Sequence, residues 1–354
     1  MPVLLALRNS GRYDLRVAAY RHALAAWSAA GLDPEPLDEG MDDAGAARLL
    51  AGADLLLCAT SHNGVDLEKR LIAAARGVGI PSLAVLDFWS SYALRFADAD
   101  GRRAFVPDRV AVPDETARTG MLEAGFDPAR LVVTGQPAFD ALAAVRAGFT
   151  PERREEVRAA LGVRPGERMV LFLSQPLRAV FGAEEGSPHF PGYTEDGVLA
   201  RLAAALEAAA RRRGERVALV VRPHPREDPA SFVLPPPGAV RTLVSAEGDG
   251  REAALAAELV AGMHTVLLVE ASLLGCVVLS LQPGLRGADP LPTNRDGRSL
   301  AVYDADAIPA AVERALWDEA ARAEVRARGA GAGAAAGGAA ARVIEVLDSL
   351  LAPG

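Results

Sequence analysis

The segment Val220–Glu227 concentrates three cationic or titratable side chains, those of Arg222, His224 and Arg226. A proline on each side of His224 fixes the backbone there and holds the ring at the end of a predicted buried strand. The imidazole can donate a charge-assisted hydrogen bond to a phosphate, and each guanidinium group offers a planar fork of donors. The segment therefore predicts a phosphate-binding turn. A turn whose charges are only solvated is the alternative.

A second segment, Ala261–Ala271, leads from small residues into an apolar helix. Thr265 lies where a helix N-cap is expected, and the free N–H groups and dipole of a helix start favour an anion such as pyrophosphate. Capping alone also explains Thr265, and His264 could be a histidine of the core. Glu270 has only apolar neighbours on this helix, which indicates either a polar ligand such as a ribose or a structural salt bridge.

Ser174 and Gln175 follow the first predicted strand in the second half of the chain and are candidate donor-binding residues. A long loop then leads to Thr194, Glu195 and Asp196. This trio is typical of a helix cap followed by acids in the first turn, which requires no further function. The functional alternative makes Glu195 or Asp196 an acid or base that faces a cleft.

Loops in the first half of the chain are candidates for the acceptor side of a site. Ser61, His62 and Asn63 follow one predicted strand, and Asp87 and Trp89 follow the next. Aromatic rings suit stacking on a sugar ring while a carboxylate binds its hydroxyls, although a hydrophobic contact between domains is an equal alternative. His62 and Asp87 are secondary candidates for a general base.

Two Asp-x-Asp pairs, at 98–100 and 304–306, have the spacing that metal-dependent transferases commonly use. Both pairs lie in loops rich in Ala and Asp, so chance explains the spacing. We predict no structural or catalytic metal and no cofactor. Arginines and a helix N-terminus would hold the nucleotide pyrophosphate instead.

The elements that must position these residues follow from short apolar runs that alternate with amphipathic helical stretches, the pattern of parallel strands joined by helices. The first predicted strand is Val3–Leu7, and a polar, charge-rich stretch at 150–156 interrupts the rhythm. We therefore predict the α/β class, with two doubly wound, Rossmann-like domains that face each other across a cleft. The predicted parts are an N-terminal acceptor-side domain over 1–148, a nucleotide-donor-binding domain over 149–310 and a helical tail over 311–354.

A Gly/Ala-rich stretch at 329–338 lies within this tail. Its glycine spacing happens to resemble a dinucleotide fingerprint, but no predicted strand precedes it. Biased composition therefore explains the stretch.

The length of 354 residues is sufficient for two α/β cores. A net charge of −8 argues against nucleic acid as a partner, because proteins that bind phosphate backbones carry a clustered basic face. Cys58 and Cys276 each lie in an apolar run and are predicted to be buried thiols. The opening apolar run is too short for a signal peptide, and no stretch approaches the ~20 apolar residues of a membrane span. We expect a cytoplasmic protein with no membrane span.

Three of these motifs together resemble those of bacterial transferases with the glycosyltransferase-B (GT-B) fold. They are Arg-Pro-His-Pro at 222–225, Thr265 at a helix start and Glu-Asp-Gly at 195–197. The similar families include sialyltransferases, Kdo transferases and CDP-glycerol transferases. The resemblance implies that His224 contacts the donor phosphate, that Thr265 helps to bind it and that Asp196 is the base. The segment Val132–Asp140 is also similar to one that precedes the interdomain linker in GT-B enzymes and nucleotide-sugar 2-epimerases.

The resemblance implies a glycosyltransferase of surface-polysaccharide or glycoconjugate synthesis. Its donor would be a CMP-sugar or another nucleotide-activated sugar, and its acceptor would be a glycan, a lipid-linked molecule or a protein. A nucleotide-sugar 2-epimerase or hydrolase with the same fold is one alternative. A non-catalytic relative that only binds a nucleotide sugar is another.

Overall fold

The computed structural model describes residues 1–60, 65–184, 186–187, 189–335 and 337–352. The chain divides into two compact units. Unit 1 comprises Met1–Asp140 and Ala336–Gly354, and unit 2 comprises Ala141–Ala335. The sequence analysis placed the boundary at 148 and treated 311–354 as one tail, whereas the contacts divide that tail between the two units.

Unit 1 is an α/β unit built on parallel strands. Its helices are α1 (Pro2–Ser10), α2 (Arg21–Ala29), α3 (Asp43–Leu49), α4 (Leu67–Val78), α5 (Glu115–Glu123) and the C-terminal α15 (Ala339–Leu351). Its strands are β1 (Ala18–Ala19), β2 (Glu35–Pro36), β3 (Leu56–Cys58), β4 (Ser82–Val85), β5 (Arg109–Val112) and β6 (Leu131–Val133).

Four strands of unit 1 form a parallel sheet in the order β3-β4-β5-β6, and β1 pairs with β2 in a separate sheet. Strands that are successive in the sequence are therefore neighbours in the main sheet. Among the described residues of this unit the strand order does not reverse, so the doubly wound arrangement predicted for the first half of the chain is not seen there.

The chain begins with a helix, α1, where the sequence analysis predicted the strand Val3–Leu7. Pro2 lies in the first turn, where its missing N–H costs nothing, and the Leu and Ala residues that follow favour a helix. Val3 and Leu7 are about one turn apart and are buried together against side chains of α15. The prediction was wrong because a short apolar run does not separate a buried strand from a helix face.

The C-terminal helix α15 is fixed to the end of β6 by polar contacts. The carboxylate of Asp140 accepts hydrogen bonds from the backbone N–H groups of Ala339 (2.9 Å) and Ala340 (2.8 Å) at the start of α15. Arg342 Nε donates to the carbonyl of Thr134 at 2.6 Å. The end of the segment Val132–Asp140 therefore anchors the last helix within unit 1.

Unit 2 has the same type of construction with a larger sheet. Its helices are α6 (Leu142–Gly148), α7 (Pro151–Ala160), α8 (Leu177–Phe181), α9 (Glu195–Arg213), α10 (Gly250–Ala256), α11 (Val266–Leu273), α12 (Pro292–Arg295), α13 (Ile308–Trp317) and α14 (Glu319–Ala335). Its strands are β7 (Arg168–Leu173), β8 (Val217–Arg222), β9 (Val240–Val244), β10 (Leu259–Gly262), β11 (Val278–Leu281) and β12 (Leu300–Val302).

The six strands of unit 2 are parallel and follow the order β12-β11-β10-β7-β8-β9. The chain proceeds from β7 to β9 in one direction, then returns to the other side of β7 and proceeds from β10 to β12. The central strands are runs of Val, Leu and Ala that are buried on both faces, as expected for a sheet covered by helices. The reversal between β7 and β10 is the topological feature that positions the candidate site.

The Gly/Ala-rich part of α14 packs closely against the C-terminal end of α11. A Cβ atom at Gly329 would collide with the carbonyl of Ser272, and one at Gly333 would collide with the carbonyl of Leu273. A Cβ at Gly331 would meet nothing within 4 Å. The Gly/Ala-rich stretch, which the sequence alone attributes to biased composition, therefore also has a packing role.

We expect Gly333→Ala to destabilise unit 2 by about 1–3 kcal/mol, because the added methyl group forces two packed helices apart. Gly331→Ala is the matched control and should stabilise the unit by roughly 0.5–1 kcal/mol, because alanine favours the helix over glycine. Urea unfolding followed by far-ultraviolet circular dichroism measures both. Equal effects of the two substitutions would show that α14 does not pack closely on α11.

Candidate functional site

The candidate site of unit 2 begins at the reversal of strand order, where the carboxyl ends of β7 and β10 lie side by side. In parallel sheets of this type, ligands bind in the crevice beyond the strands at such a switch point. Ser174 and Gln175 directly follow β7, and His264 and Thr265 follow β10. The backbone N–H of His264 donates to Gln175 Oε1 at 2.8 Å and joins the two loops.

The His-Pro turn follows β8, the neighbour of β7, and is connected to the switch point through Glu227. One carboxylate oxygen of Glu227 accepts from the backbone N–H of His224 at 2.7 Å, and the other accepts from Ser174 Oγ at 2.8 Å. Burial raises the pKa of Glu227, and these two hydrogen bonds oppose that rise. The structure thus links two of the predicted candidate residues, His224 and Ser174, through the carboxylate of Glu227, which was not among the candidates.

The partners of His224 determine which ring nitrogen carries the proton. The backbone N–H of Arg226 donates to His224 Nδ1 at 3.1 Å. Since a backbone N–H can only donate, Nδ1 must be an acceptor, and the proton of the neutral ring is assigned to Nε2. In the neutral ring the proton of His224 therefore lies on Nε2.

A chain of buried side chains determines the opposite tautomer for His264. Gln282 Nε2 donates to Asp289 Oδ1 at 2.9 Å, which leaves Gln282 Oε1 as an acceptor from the Tyr193 hydroxyl at 3.2 Å. Because the Tyr193 hydroxyl donates its one proton to Gln282, the Tyr193 oxygen accepts from His264 Nδ1–H at 2.9 Å. His264 Nε2 is therefore a hydrogen-bond acceptor.

The environment of His264 keeps the ring neutral. Burial lowers its pKa to about 4, although the negative charge of Asp289 acts in the other direction. Burial likewise raises the pKa of Tyr193, so its hydroxyl stays protonated. A neutral ring with a fixed Nδ1 proton can accept a hydrogen bond from a ligand O–H or N–H. Tyr193, Gln282 and Asp289 were not among the predicted site residues. Of the three, only Gln282, directly after β11, carries a signal in the sequence, as a polar residue at a strand end.

The start of α11 has the properties of an anion site. Thr265 is its N-cap, and in the part of the chain that the structure describes its side chain makes no cap hydrogen bond. N–H groups of the first turn are thus left for a ligand, and the helix dipole favours a negative one. Glu270 on the same helix is buried, and Arg251 binds both of its carboxylate oxygens, at 2.7 and 3.0 Å. Its contacts match the salt-bridge alternative rather than an open ribose site.

The two arginines of the His-Pro turn differ in their surroundings. Arg222 donates to the carbonyls of Glu247 at 2.8 Å and Gly248 at 2.7 Å, so its guanidinium group holds the loop after β9. Burial lowers the pKa of Arg222. The expected phosphate contact of Arg222 would require these bonds to break. Arg226 is exposed, and the structure shows no equivalent anchor for it among the described residues.

Asp196 lies in the first turn of α9 after the N-cap Thr194, whose hydroxyl accepts from Gly197 N–H at 3.3 Å. Its carboxylate pairs with Arg178 at 2.6 Å. Partial burial raises the pKa of Asp196, but hydrogen bonds from Arg178 and Thr194 outweigh this effect and lower it overall. Asp196 is therefore ionised at neutral pH but is held in an ion pair.

The predicted acceptor-side residues belong to unit 1. Asp87 pairs with the buried Arg95 at 2.5 Å. Trp89 is only 4% exposed, stacks on Phe139 and donates from its indole N–H to Asp114 at 2.8 Å. The indole is therefore part of the interior of unit 1, which corrects its predicted role as a platform for a sugar ring. Ser61, His62 and Asn63 lie outside the described residues.

The two Asp-x-Asp pairs cap local turns. Asp98 accepts from the backbone N–H groups of Asp100 and Arg102, and Asp304 accepts from that of Asp306. Within the described ranges, no group of three or more His, Cys, Asp or Glu side chains is arranged to hold a metal ion. No helix among these residues is both long enough and apolar enough to cross a membrane.

No family model matches the chain, and no curated protein matches it in sequence. Solved structures match nearly its whole length. A UDP-GlcNAc 2-epimerase from Neisseria meningitidis, bound to UDP-GlcNAc, is 14% identical with a TM-score of 0.67, covering 98% of this chain and 95% of that chain. S. aureus MnaA, solved with UDP, is 16% identical with a TM-score of 0.69, covering 99% and 92%. A glycosyltransferase from Rickettsia africae is 10% identical with a TM-score of 0.62, again covering 99% and 92%.

The chain shares the fold of these proteins. The α/β class with two Rossmann-like domains is therefore confirmed, and the likeness extends to both GT-B-like glycosyltransferases and nucleotide-sugar 2-epimerases. At these identities, the likeness concerns the fold alone.

We expect His264 to make stability depend on pH in one defined range. The pKa is about 4 in the folded protein and about 6.5 in the unfolded chain, so between these values the unfolded state binds more protons. The titration of His264 therefore does not change the free energy of unfolding above about pH 7. Below that, the free energy of unfolding falls as the pH decreases towards 4. Relative to His264→Asn, the wild type should lose about 2 kcal/mol between pH 7.5 and pH 5.

Urea unfolding at the two pH values measures this difference. His22→Asn, at an exposed histidine of unit 1, is the control and should keep the pH dependence of the wild type. Parallel pH dependence of the wild type and His264→Asn would contradict a neutral His264 with a lowered pKa.

Proposed function

We propose that this chain is a metal-independent glycosyltransferase that binds a nucleotide-activated sugar at the switch point of unit 2. The observation that supports this function best is the meeting of three loops at adjacent strand ends, which carry Ser174 and Gln175, His224, and His264 and Thr265. Structures of the same fold that were solved with UDP-GlcNAc or UDP support a nucleotide ligand of this class. The sugar would pass to a glycan, lipid-linked or protein acceptor.

Glycosyl transfer requires stabilisation of the phosphate that leaves the anomeric carbon. The His224 Nε2–H, the Thr265 hydroxyl and the first N–H groups of α11 are donors of the correct polarity for this charge. Such fixed donors supply the electrostatic stabilisation that a divalent cation provides in other transferases. We therefore assign these groups to the phosphate of the donor.

His264 would bind a different part of the substrate. Its Nε2 atom is an acceptor on a neutral ring, and the oxygens of an ionised phosphate carry no proton to donate. We therefore assign His264 to a hydroxyl of the sugar or to an N–H group of the base. Gln175, which accepts from the His264 backbone, would orient this loop.

The general base is assigned to Asp196 by resemblance, with Asp87 as the second candidate. Binding at Asp196 would have to displace its partner Arg178 before the carboxylate could accept a proton. Asp196→Asn should lower kcat by about 10²-fold with donor binding intact. If Asp196→Asn keeps nearly normal activity and Asp87→Asn is inactive, the general base is Asp87 instead.

A nucleotide-sugar 2-epimerase is the second candidate, because the epimerase from Neisseria meningitidis shares the fold over 98% of this chain. Incubation with CMP-, CDP- and UDP-sugars, followed by proton and phosphorus NMR, separates the candidates. Nucleotide release that depends on an acceptor supports the transferase. An epimeric sugar nucleotide formed without acceptor supports the epimerase, free sugar formed without acceptor supports a hydrolase, and binding without turnover supports a non-catalytic relative.

We expect His224→Asn to lower kcat by about 10²-fold or more, because the amide can still accept from the Arg226 N–H but offers no donor at the Nε2 position. His224→Gln, which places an N–H donor near that position, should retain more activity and is the matched variant. Steady-state kinetics with the active donor measures both. Full activity of His224→Asn would remove the ring from the mechanism.

A further inference from the structure

We propose that unit 2 has a second ligand site, which binds a phosphorylated small molecule at the edge of the sheet opposite the switch point. A cavity of about 660 Å³ lies at the amino ends of β10 and β11, beside Glu258 and Cys276, the residues that precede these strands. The switch-point residues follow the carboxyl end of β10. The cavity is therefore separate from the site of the proposed glycosyl transfer.

The size and walls of the cavity suit a metabolite rather than a single ion. Ligand pockets commonly measure about 300–1,000 Å³. Phe149, Leu255 and Leu274 supply an apolar wall, and α6, α7 and α14 supply the arginines. A ligand with a charged group and an apolar or aromatic part would use both kinds of surface.

The charge of the lining is positive. Four arginines, at 146, 154, 322 and 326, face two glutamates, Glu258 and Glu319. The carboxylate of Glu258 is already used by Arg154, by Arg158 at 3.1 Å and by the backbone N–H of Met169 at 2.6 Å. Glu319 is largely exposed and is shared by Arg322 and Arg326. The arginines thus outnumber the carboxylates in a concave, partly dehydrated space, which favours an anion.

Three of the arginines keep donor groups that have no hydrogen-bond partner among the described residues. Arg146 donates only from Nη1, to the carbonyl of Leu274, and Arg326 donates only from Nη1, to Glu319 at 3.3 Å. Arg322 is 4% exposed. Its Nη1 donates to backbone carbonyls and its Nε donates to Glu319, so Nη2 is the nitrogen without a hydrogen-bond partner among the described residues. Planar forks of this kind match the oxygens of a phosphate or diphosphate.

Arg146 and Arg326 both line the cavity, although 180 positions in the sequence separate them. Both guanidinium groups lower the pKa of the Cys276 thiol, against the larger effect of burial, which raises that pKa to about 12. Like charges that line one cavity repel each other, and a bound dianion would relieve this repulsion. This arrangement is the reason to assign a phosphate-bearing ligand rather than a neutral one.

Isothermal titration calorimetry with inorganic pyrophosphate tests the proposal. We expect two classes of site in the wild type. The double variant Arg146→Gln/Arg326→Gln should weaken one class about tenfold or more, because two charge-assisted contacts are lost. Arg146 is exposed and Arg326 forms only a surface ion pair, so the double variant should remain folded. Arg328→Gln removes a charge from the same helix at a residue that does not line the cavity, and should titrate as the wild type.

His224→Asn separates the two sites, since it should weaken the other class and leave the arginine-dependent class unchanged. An unaltered isotherm for the double arginine variant would overturn the proposal. A single class of site that only His224→Asn removes would overturn it as well, and would leave the proposed glycosyltransferase function intact.

Discussion

The reversal of strand order between β7 and β10 is the constraint on which the candidate site depends. After most strands of a parallel sheet, the crossover connection covers the carboxyl edge of the sheet. Where the connections of two neighbouring strands leave in opposite directions, a crevice stays open between these strands. In unit 2 this crevice is bordered by the loops that begin at Ser174 and at Met263. The polar groups of the site lie in loops that start at these strand ends and are hydrogen-bonded to one another, which favours fixed hydrogen-bond directions.

Fixed directions give the two histidines of the site opposite chemical roles. The turn around His224 uses Nδ1 as an acceptor for a backbone N–H, so the proton of the neutral ring lies on Nε2. The hydrogen-bond chain from Asp289 through Gln282 and Tyr193 ends at His264 Nδ1, so that ring presents an acceptor at Nε2. A ligand that combines a phosphate with hydroxyl or N–H groups satisfies both rings, and a nucleotide sugar is such a ligand.

The sequence was sufficient for the class of fold and for the strand ends that carry the site, because buried parallel strands are apolar runs bounded by turns. It was insufficient where the same local pattern fits two structures, as at Val3–Leu7, whose burial against α15 depends on residues over 330 positions away. The same limit applies to side-chain partners. Nothing near Glu270 in the sequence indicates Arg251, and nothing near Trp89 indicates Asp114.

The polar chain behind His264 shows this limit most clearly. Tyr193 comes from the loop before α9, and Gln282 and Asp289 come from the loop after β11. They meet His264, which follows β10, only because β7, β10 and β11 are neighbours in the folded sheet. Tautomers set by such partners are properties of the tertiary structure. Ser174 and His224, in contrast, could be proposed as candidates from the sequence, because each lies within two residues of the end of a strand that the apolar pattern already indicated.

The most direct test of the central claim is nitrogen-15 NMR of the imidazole rings, with and without saturating UDP. The chain has five histidines, so His224→Asn and His264→Asn spectra assign the two relevant signals. The account predicts that the neutral ring of His224 carries its proton on Nε2, that His264 carries its proton on Nδ1, and that UDP shifts the Nε2 resonance of at least His224. The same tautomer for both rings, or two spectra that UDP leaves unchanged, would contradict a nucleotide site at the switch point of unit 2.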